Sequence, residues 1–441
     1  MLMKYASIIK ALFVHNTVIK FSSLVFIGNS IVNLLSFLFT TLMARMLSPK
    51  GFGEMTVILS LTFIIGIPTE LLANVMTRYV ARFKVKRNYY LIKKLISKAT
   101  YYSCLVCIFF LVIYYFYIPT LSKFLFIDDR RLFIIIGLTF PLAFVSSIMS
   151  GVLFGLHKFI PIVLSAVIGV TVKLILAVLL VFWGFSTMGP ILALAVSTFI
   201  AFIFVLWRMR QIIAPLKQEE NTNKHFFPAI QHEIASYAKT ILLSTILLTV
   251  ITNIDIVLVK HYFSPLVAGE YAALATAGKL ILYIASPVFT VMFPLLTGTE
   301  ASSNKQKSRN ILKTSFGIIL LISLFVFSIF IAAPDMFITI LFGQNYIVIS
   351  PYLFWFGMAM FFTTFTRSFI IFFMAVHEKT FLYPLAISTV FLIALIFLFH
   401  QNIWMIVISL LTTNFFLFAA CWLLYTTRMA KSTLHPYQIV E

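Results

Sequence analysis

The chain is dominated by runs of about 20 apolar residues, each long enough to cross the roughly 30 Å hydrocarbon layer of a bilayer as a helix. Twelve such runs fall near 21–43, 55–77, 101–121, 132–156, 159–183 and 188–207, then 238–260, 267–296, 311–333, 351–376, 380–399 and 402–426. Inside hydrocarbon each backbone N–H and C=O has to find its partner within the protein, so runs of this length dictate helices. The sequence therefore predicts an all-α integral membrane protein with about 12 transmembrane helices. Composition agrees: 61% of the 441 residues are apolar and 10% are charged, against about 45–50% and about 25% in soluble domains. That excludes a soluble globular enzyme, a disordered chain and a secreted disulfide scaffold. The first run is too long for a cleavable signal and lacks a small-residue cleavage site.

The net charge of +20 would point to nucleic acid in a soluble chain, but here the positions of the cations matter more. An even number of crossings puts both termini on one side. Of the 33 Lys and Arg, 24 fall in the terminal segments and in the loops on that side. Six are assigned to the opposite side (Arg45, Lys50, Lys123, Arg130, Arg131 and, at the very end of its run, Lys260), and three, Lys173, Lys279 and Arg367, fall well inside the runs. The positive-inside rule then predicts cytoplasmic N- and C-termini, with the charge serving orientation and anionic lipid headgroups rather than nucleic acid. The opposite loops are short. The one around LSKFLFIDDRR holds about a dozen residues, too few for an external catalytic domain.

A repeat divides the chain. Ser48-Pro49-Lys50-Gly51-Phe52-Gly53-Glu54 follows the first run, and Ser264-Pro265-Leu266-Val267-Ala268-Gly269-Glu270 follows the seventh, at an offset of 216. The same offset aligns Leu125-Phe126 with Leu341-Phe342, and it drifts to 220 at Leu156-His157-Lys158 against Val376-His377-Glu378. The expected organisation is a six-helix half over 1–210, a cytoplasmic linker over 211–237 and a second six-helix half over 238–441. Two parallel repeats of this kind suit an alternating-access transporter. In the linker Phe227, Ile230, Ile234 and Tyr237 recur at helical spacing, which fits an interfacial amphipathic helix or a plain connector. In the S-P-x-x-x-G-E corner, Ser caps, Pro opens the helix, Gly permits the turn and Glu lies near the positive helix end. Such a corner is structural or serves gating, with Arg45, Glu54 and Glu270 as the gating or ion-coupling candidates there.

The stretch GNSIVNLLSFLFTTLMARMLSPKGFGEMTVILSL, residues 28–61, resembles the opening of bacterial polysaccharide-biosynthesis membrane proteins. Ala44, Arg45, Leu47, Pro49, Phe52 and Gly53 carry the most specific part of the pattern. Asp255 with SPLVAGEYAALATAGKL, and LFGQNY at 341–346, resemble the second-half signatures. These proteins are flippases of lipid-linked O-antigen and capsule units, in the superfamily that also holds the MATE-type exporters. The resemblance covers essentially the whole chain and lacks the two extra spans usual in lipid II flippases. It implies a MATE-like fold and transfer of an undecaprenyl-diphosphate-linked glycan from the inner to the outer leaflet of the bacterial inner membrane. A proton or sodium gradient, or the membrane potential, is the implied drive, and no bound cofactor is expected. Implied partners are the lipid-linked glycan, membrane lipids, a glycan polymerase and glycosyltransferases.

Ionisable groups at span depth are costly and usually face a bundle interior or a watery cavity. Glu70, Lys173, Asp255, Lys279 and Arg367 each lie on a small or polar helical face, so all five are expected to point inward. Asn29, Asn33, Ser36 and Thr40 form a polar stripe on the first run, suited equally to sugar hydroxyls and to interhelical hydrogen bonds. Three cations against two carboxylates favour an anionic passenger, since Lys and Arg pair readily with phosphate oxygens. Lys173, Lys279, Arg367, Asn29 and Asn33 are therefore the candidate substrate contacts in a central cavity, and Asp255 and Glu70 the candidate ion-coupling groups. Structural pairing of Asp255 with Lys279 is the plainer alternative. Pro68, Pro141, Pro287, Pro294 and Pro384 are candidate kinks. Cys104, Cys107 and Cys421 lie in apolar runs and suit packing, no metal-ligand cluster is evident, and no Walker A loop occurs. Other readings are a multidrug or metabolite antiporter of the same architecture, a glycan polymerase or ligase, and a scaffold for glycosyltransferases.

Overall fold

The computed structural model describes residues 17–85, 88–214, 226–301, 305–376 and 378–434, and among them every regular element is helical. The first half contains α1 (Thr17–Met46), α2 (Pro49–Ile65), α3 (Ile67–Val85), α4 (Tyr89–Phe124), α5 (Arg131–Gly155), α6 (Phe159–Phe182) and α7 (Met188–Ile213). It continues with α8 (Phe226–Tyr262), α9 (Pro265–Gly278), α10 (Leu280–Ala301), α11 (Lys305–Ala332) and the short α12 (Pro334–Phe342). A 3₁₀ turn, Gln344–Ile349, then leads into α13 (Ser350–Ala375), α14 (Leu382–Leu398) and α15 (Ile403–Leu434). Eleven segments are long and apolar enough to cross a membrane. α14, at 17 residues, sits at the lower end of the roughly 17–25 that span. The twelve crossings expected from the sequence are thus present, the second as α2 and α3 together and the eighth as α9 and α10.

The chain forms two compact units, Met1–Thr245 and Ile246–Glu441. The boundary falls within α8, which begins inside the stretch read as linker and continues without interruption into the seventh span. The side chains of Phe227, Ile230, Ile234 and Tyr237 lie outside the described residues. Within the first unit α3 packs on α5, α5 on α7, α6 on α7 and α4 on α5. Within the second unit the equivalent elements pair alike: α10 on α13, α13 on α15, α14 on α15 and α11 on α13. For these four pairs the sequence repeat is also a repeat of packing partners.

The corners explain why S-P recurs. Ser48 Oγ accepts from the Gly51 N–H at 3.2 Å, and Ser264 Oγ accepts from the Val267 N–H at 3.4 Å. Each serine satisfies an N–H that the first helical turn leaves unpaired, while proline occupies the first position, where no N–H is needed. Two expectations about the corner are corrected. Gly53 and Gly269 are buried inside the helices rather than in the turn. Glu54 and Glu270 lie beyond the first turn of α2 and α9, neither of which has an acidic residue there, and the dipole acts mainly within that turn.

Close helix approach in the first unit is set by glycine. A Cβ on Gly151 of α5 would lie 2.5 Å from the Ala73 carbonyl oxygen of α3, and one on Gly155 would lie 2.8 Å from that of Thr77. Lys84, at the end of α3, donates to the Leu156 carbonyl oxygen at 2.9 Å and ties the two helix ends together. Pro141 lies inside α5, as expected, and Pro119 inside α4 was not foreseen. Pro68 and Pro384 stand near the starts of α3 and α14, where a proline opens a helix rather than bending one.

Candidate functional site

The second span of each half is broken in its middle. In the first unit α2 stops at Ile65 and α3 restarts at Ile67, with Gly66 between them. In the second unit α9 stops at Gly278 and α10 restarts at Leu280, with Lys279 between them. Interrupted spans at corresponding places in two repeats are where polar groups gather in a membrane protein, because broken helices expose backbone dipoles only where protein or a cavity surrounds them. Each break carries an ionisable group that matches the local helix end. Glu70 lies in the first turn of α3, at the positive end, and Lys279 caps α9, at the negative end.

The first break opens on a cavity of about 170 Å³ lined by Thr62, Gly66, Thr69, Thr139, Phe140 and Thr198, among others. Every one of its threonine hydroxyls donates to a carbonyl of its own helix: Thr62 to Leu59 at 2.6 Å, Thr69 to Gly66 at 2.5 Å, Thr139 to Ile136 at 2.7 Å and Thr198 to Leu194 at 2.8 Å. A hydroxyl has one proton and two lone pairs, so these oxygens present acceptors to whatever enters. Elsewhere in the unit Lys173 projects from α6 toward α1, its Nζ 4.3 Å from the centre of the Phe39 ring. That is a cation–π contact, which tolerates partial desolvation of the ammonium. α1 and α6 pack together, so Lys173 and the Asn29–Asn33 stripe belong to one helix pair, with both asparagines half-buried.

The second break is dry. Lys279 is 6% exposed and Asp255 1% exposed. The lysine Nζ donates to the Thr252 carbonyl oxygen on α8 at 2.7 Å, one turn before Asp255. Asp255 Oδ2 accepts from the Tyr271 hydroxyl at 2.9 Å, while Oδ1 is buried without a hydrogen-bond partner. Lysine and aspartate thus serve one short stretch of α8 without forming a direct ion pair. Gly278 makes room for the Phe356 ring, which a Cβ there would strike.

The other candidate residues are dispersed. Arg367 on α13 is exposed and holds its guanidinium 5.6 Å from the centre of the Phe289 ring. Glu70 and Arg45 are exposed, and Glu54 and Glu270 are half-buried at the corners. One placement is corrected: Lys260, the last residue of the seventh run and counted with the outer loops, lies inside α8 two residues before its end and is 0% exposed. Its place so near the C-terminal end of a 37-residue helix is what misled the length argument. Tyr271 and the four cavity threonines were also missed. Tyr271 stands directly after the Glu of the second corner, but nothing in the sequence links it to a carboxylate 16 positions earlier. Among the described residues no group of three His, Cys, Asp or Glu side chains is placed to hold a metal.

Known proteins share this arrangement of helices. The structure superposes on an inward-facing multidrug resistance MATE family transporter of the MOP superfamily with a TM-score of 0.75 at 14% identity, covering 93% of this chain and 96% of that one. The lipid II flippase MurJ, in an inward closed conformation, gives 0.70 at 14% identity over 93% and 87%. A MOP superfamily transporter from Pyrococcus furiosus Vc1, described as having a binding pocket of reverse polarity, gives 0.65 at 15% identity over 93% and 96%. At these identities the likeness establishes the MATE-like fold. No curated protein matches the chain by sequence. Residues 18–300, well over half the chain, match the family described as polysaccharide biosynthesis protein, and the chain belongs to that family.

Proposed function

We propose that this protein is a flippase that moves a lipid-diphosphate-linked oligosaccharide, on an undecaprenyl carrier, from the inner to the outer leaflet of the bacterial inner membrane by alternating access. The observation that carries this reading is the family match over residues 18–300. Cations at span depth support an anionic passenger: Lys173, Lys260, Lys279 and Arg367 stand against Asp255 and Glu70. Lys and Arg are suited to phosphate oxygens, and the acceptor-lined cavity at Gly66 is suited to the hydroxyls of a sugar. Asp255, beside Tyr271 and Lys279, is the candidate to couple transfer to a proton or sodium gradient, with Glu70 as its counterpart in the first half. The distribution of Lys and Arg among the loops supports cytoplasmic termini. The external connections, from 183–187 up to 333–349 with its short α12, are smaller than the large loop a glycan polymerase or ligase would use, which supports transport over bond chemistry.

The test is translocation of a fluorescent lipid-diphosphate glycan in proteoliposomes, read by its protection from a membrane-impermeant reagent, with and without ion gradients. Wild type should protect the glycan, and Lys173→Met and Arg367→Met should slow protection roughly tenfold, about the effect of losing one charge-assisted contact. Equal rates in wild type and both variants would reject cation recognition of the diphosphate. A second reading, a drug or metabolite antiporter, draws on the likeness to the multidrug MATE transporter. Uptake of cationic drugs by the same vesicles, with no glycan movement, would favour it.

A further inference from the structure

Asp255 is buried with half of its carboxylate unused. Oδ2 accepts from the Tyr271 hydroxyl at 2.9 Å, and Oδ1 is enclosed without a hydrogen-bond partner. A carboxylate left so in a low-dielectric interior is costly unless a cation stands near it. The cation here belongs to the chain itself. Lys279, at the break between α9 and α10, donates from Nζ to the Thr252 carbonyl oxygen at 2.7 Å, and its ammonium and Asp255 feel each other's charge. Thr252 precedes Asp255 by three positions in α8, so the two share one helical face. An ammonium carries three donors, and the bond to Thr252 uses one of them. Tyr283, near the start of α10, also feels the charge of Asp255.

We infer that Lys279 is a specificity-determining residue: its tethered ammonium takes the place of a metal cation beside Asp255, keeps sodium off the carboxylate and leaves the proton as the ion the site can take. The inference rests on the reading of Asp255 as the coupling group. Two features select the proton. The polar groups that meet this stretch of α8 from α9 and from the break are donors, the Tyr271 O–H and the Lys279 N–H. A hard cation is held instead by several oxygens at once, and the Thr252 carbonyl that would serve is already taken by the lysine. A second positive charge beside the ammonium is also repelled, strongly so where the dielectric is low. A proton meets neither obstacle. It bonds to Oδ1, neutralises the carboxylate, and leaves the hydrogen bonds of Tyr271 and Lys279 in place.

The experiment uses the full-length protein purified in detergent and compares unfolding midpoints in sodium chloride and potassium chloride at equal concentration and pH. Wild type should unfold at the same temperature in both salts. Lys279→Gln exchanges the ammonium for an amide that offers an oxygen, so its midpoint should rise in sodium by roughly 2 °C or more, as a bound ion well above its dissociation constant would cause. Asp255→Asn/Lys279→Gln should lose that rise, which assigns the ion to the carboxylate. Lys279→Arg, which keeps the charge, should be as indifferent as wild type. A midpoint of Lys279→Gln that responds to sodium no more than wild type does would overturn the inference. So would a sodium response in wild type that Asp255→Asn abolishes. If Lys279→Gln folds in neither salt, equilibrium binding of radioactive sodium decides: equal binding to wild type and Asp255→Asn supports exclusion, and an excess on wild type refutes it. None of these readouts involves a glycan, so failure of glycan transfer would reject the flippase and leave the sodium result standing.

Discussion

The two broken spans share a backbone plan and differ in almost everything else. At Gly66 the chain interrupts a helix around an open cavity whose oxygens are neutral and already committed as donors. At Lys279 the interruption is filled with a lysine, an aspartate and a tyrosine, all buried. The repeat therefore keeps the place where a helix stops, and α3 and α10, which restart after the breaks, pack on equivalent partners. It leaves the chemistry at the stop free to diverge. The open break is the better place for a passenger to make contact, and the filled one for a switch whose parts have to stay out of water.

That contrast makes the two inward lysines unequal, and stability measurements can break or sharpen the difference. Lys279→Met leaves the Asp255 carboxylate buried beside Tyr271 without a neighbouring cation, and removing one member of a buried charged group costs about 3–5 kcal/mol. Lys173→Met exchanges an ammonium over Phe39 for a thioether of similar shape, so the loss is at most about 1 kcal/mol once the cation–π contact is replaced by apolar packing. Thermal unfolding in detergent should rank the variants in that order. Asp255→Asn/Lys279→Met should recover much of the loss, because no buried charge is then left alone. Equal melting temperatures for the two single methionine variants would erase the distinction between an open half and a dry one.

A second contrast concerns how each unit brings its helices together. In the first unit the obstacle to a side chain at Gly151 is backbone, the Ala73 carbonyl, and in the second the obstacle at Gly278 is the Phe356 ring. Backbone cannot rotate away. Gly151→Ala should therefore cost about 2–3 kcal/mol, at the upper part of the usual range for overpacking. Gly278→Ala should cost less, and it should be rescued by Phe356→Leu, which frees the space the ring occupied. Failure of that rescue would show that the second break, too, is held by rigid backbone.

How much of this was legible in the sequence follows from what each signal measures. Span number was legible because hydrocarbon thickness fixes run length, and the corners were legible because serine before proline satisfies a local need. Site geometry was less so. The sequence marks Asp255 and Lys279 as costly in a membrane, but it does not say that the lysine turns to the Thr252 carbonyl and the aspartate to Tyr271, since both choices depend on contacts between elements far apart in the chain. Lys260 was counted with the outer loops because it closes the apolar run, and the run alone does not show that the helix continues to Tyr262. The cavity threonines were invisible for a related reason: a threonine bonded to its own helix looks the same in sequence whether or not a cavity lies in front of it.

The smallest expected effect separates the connections that follow the fourth span in the first unit and the tenth in the second. In the first unit His157 stands at φ +59° near Lys84, and burial, followed by the charge of Lys84, lowers its pKa below the usual 6.5. In the second unit the sequence also has a histidine at the aligned position, His377, and the next residue differs: Glu378 Oε1 accepts from the N–H groups of Lys379 at 3.1 Å and Thr380 at 3.3 Å. A histidine whose folded pKa is depressed binds its proton more readily in the unfolded chain, so its contribution is complete above about pH 6.5 and falls away as the pH drops through the folded value. The imidazole is largely solvent-exposed, so the difference should stay below about 0.5 kcal/mol. Stability measured from pH 7.5 to 5 should decline slightly more steeply in wild type than in His157→Gln. An identical slope would mean that Lys84 acts on the Leu156 carbonyl alone and that the first unit's turn is as indifferent to protons as a neutral one.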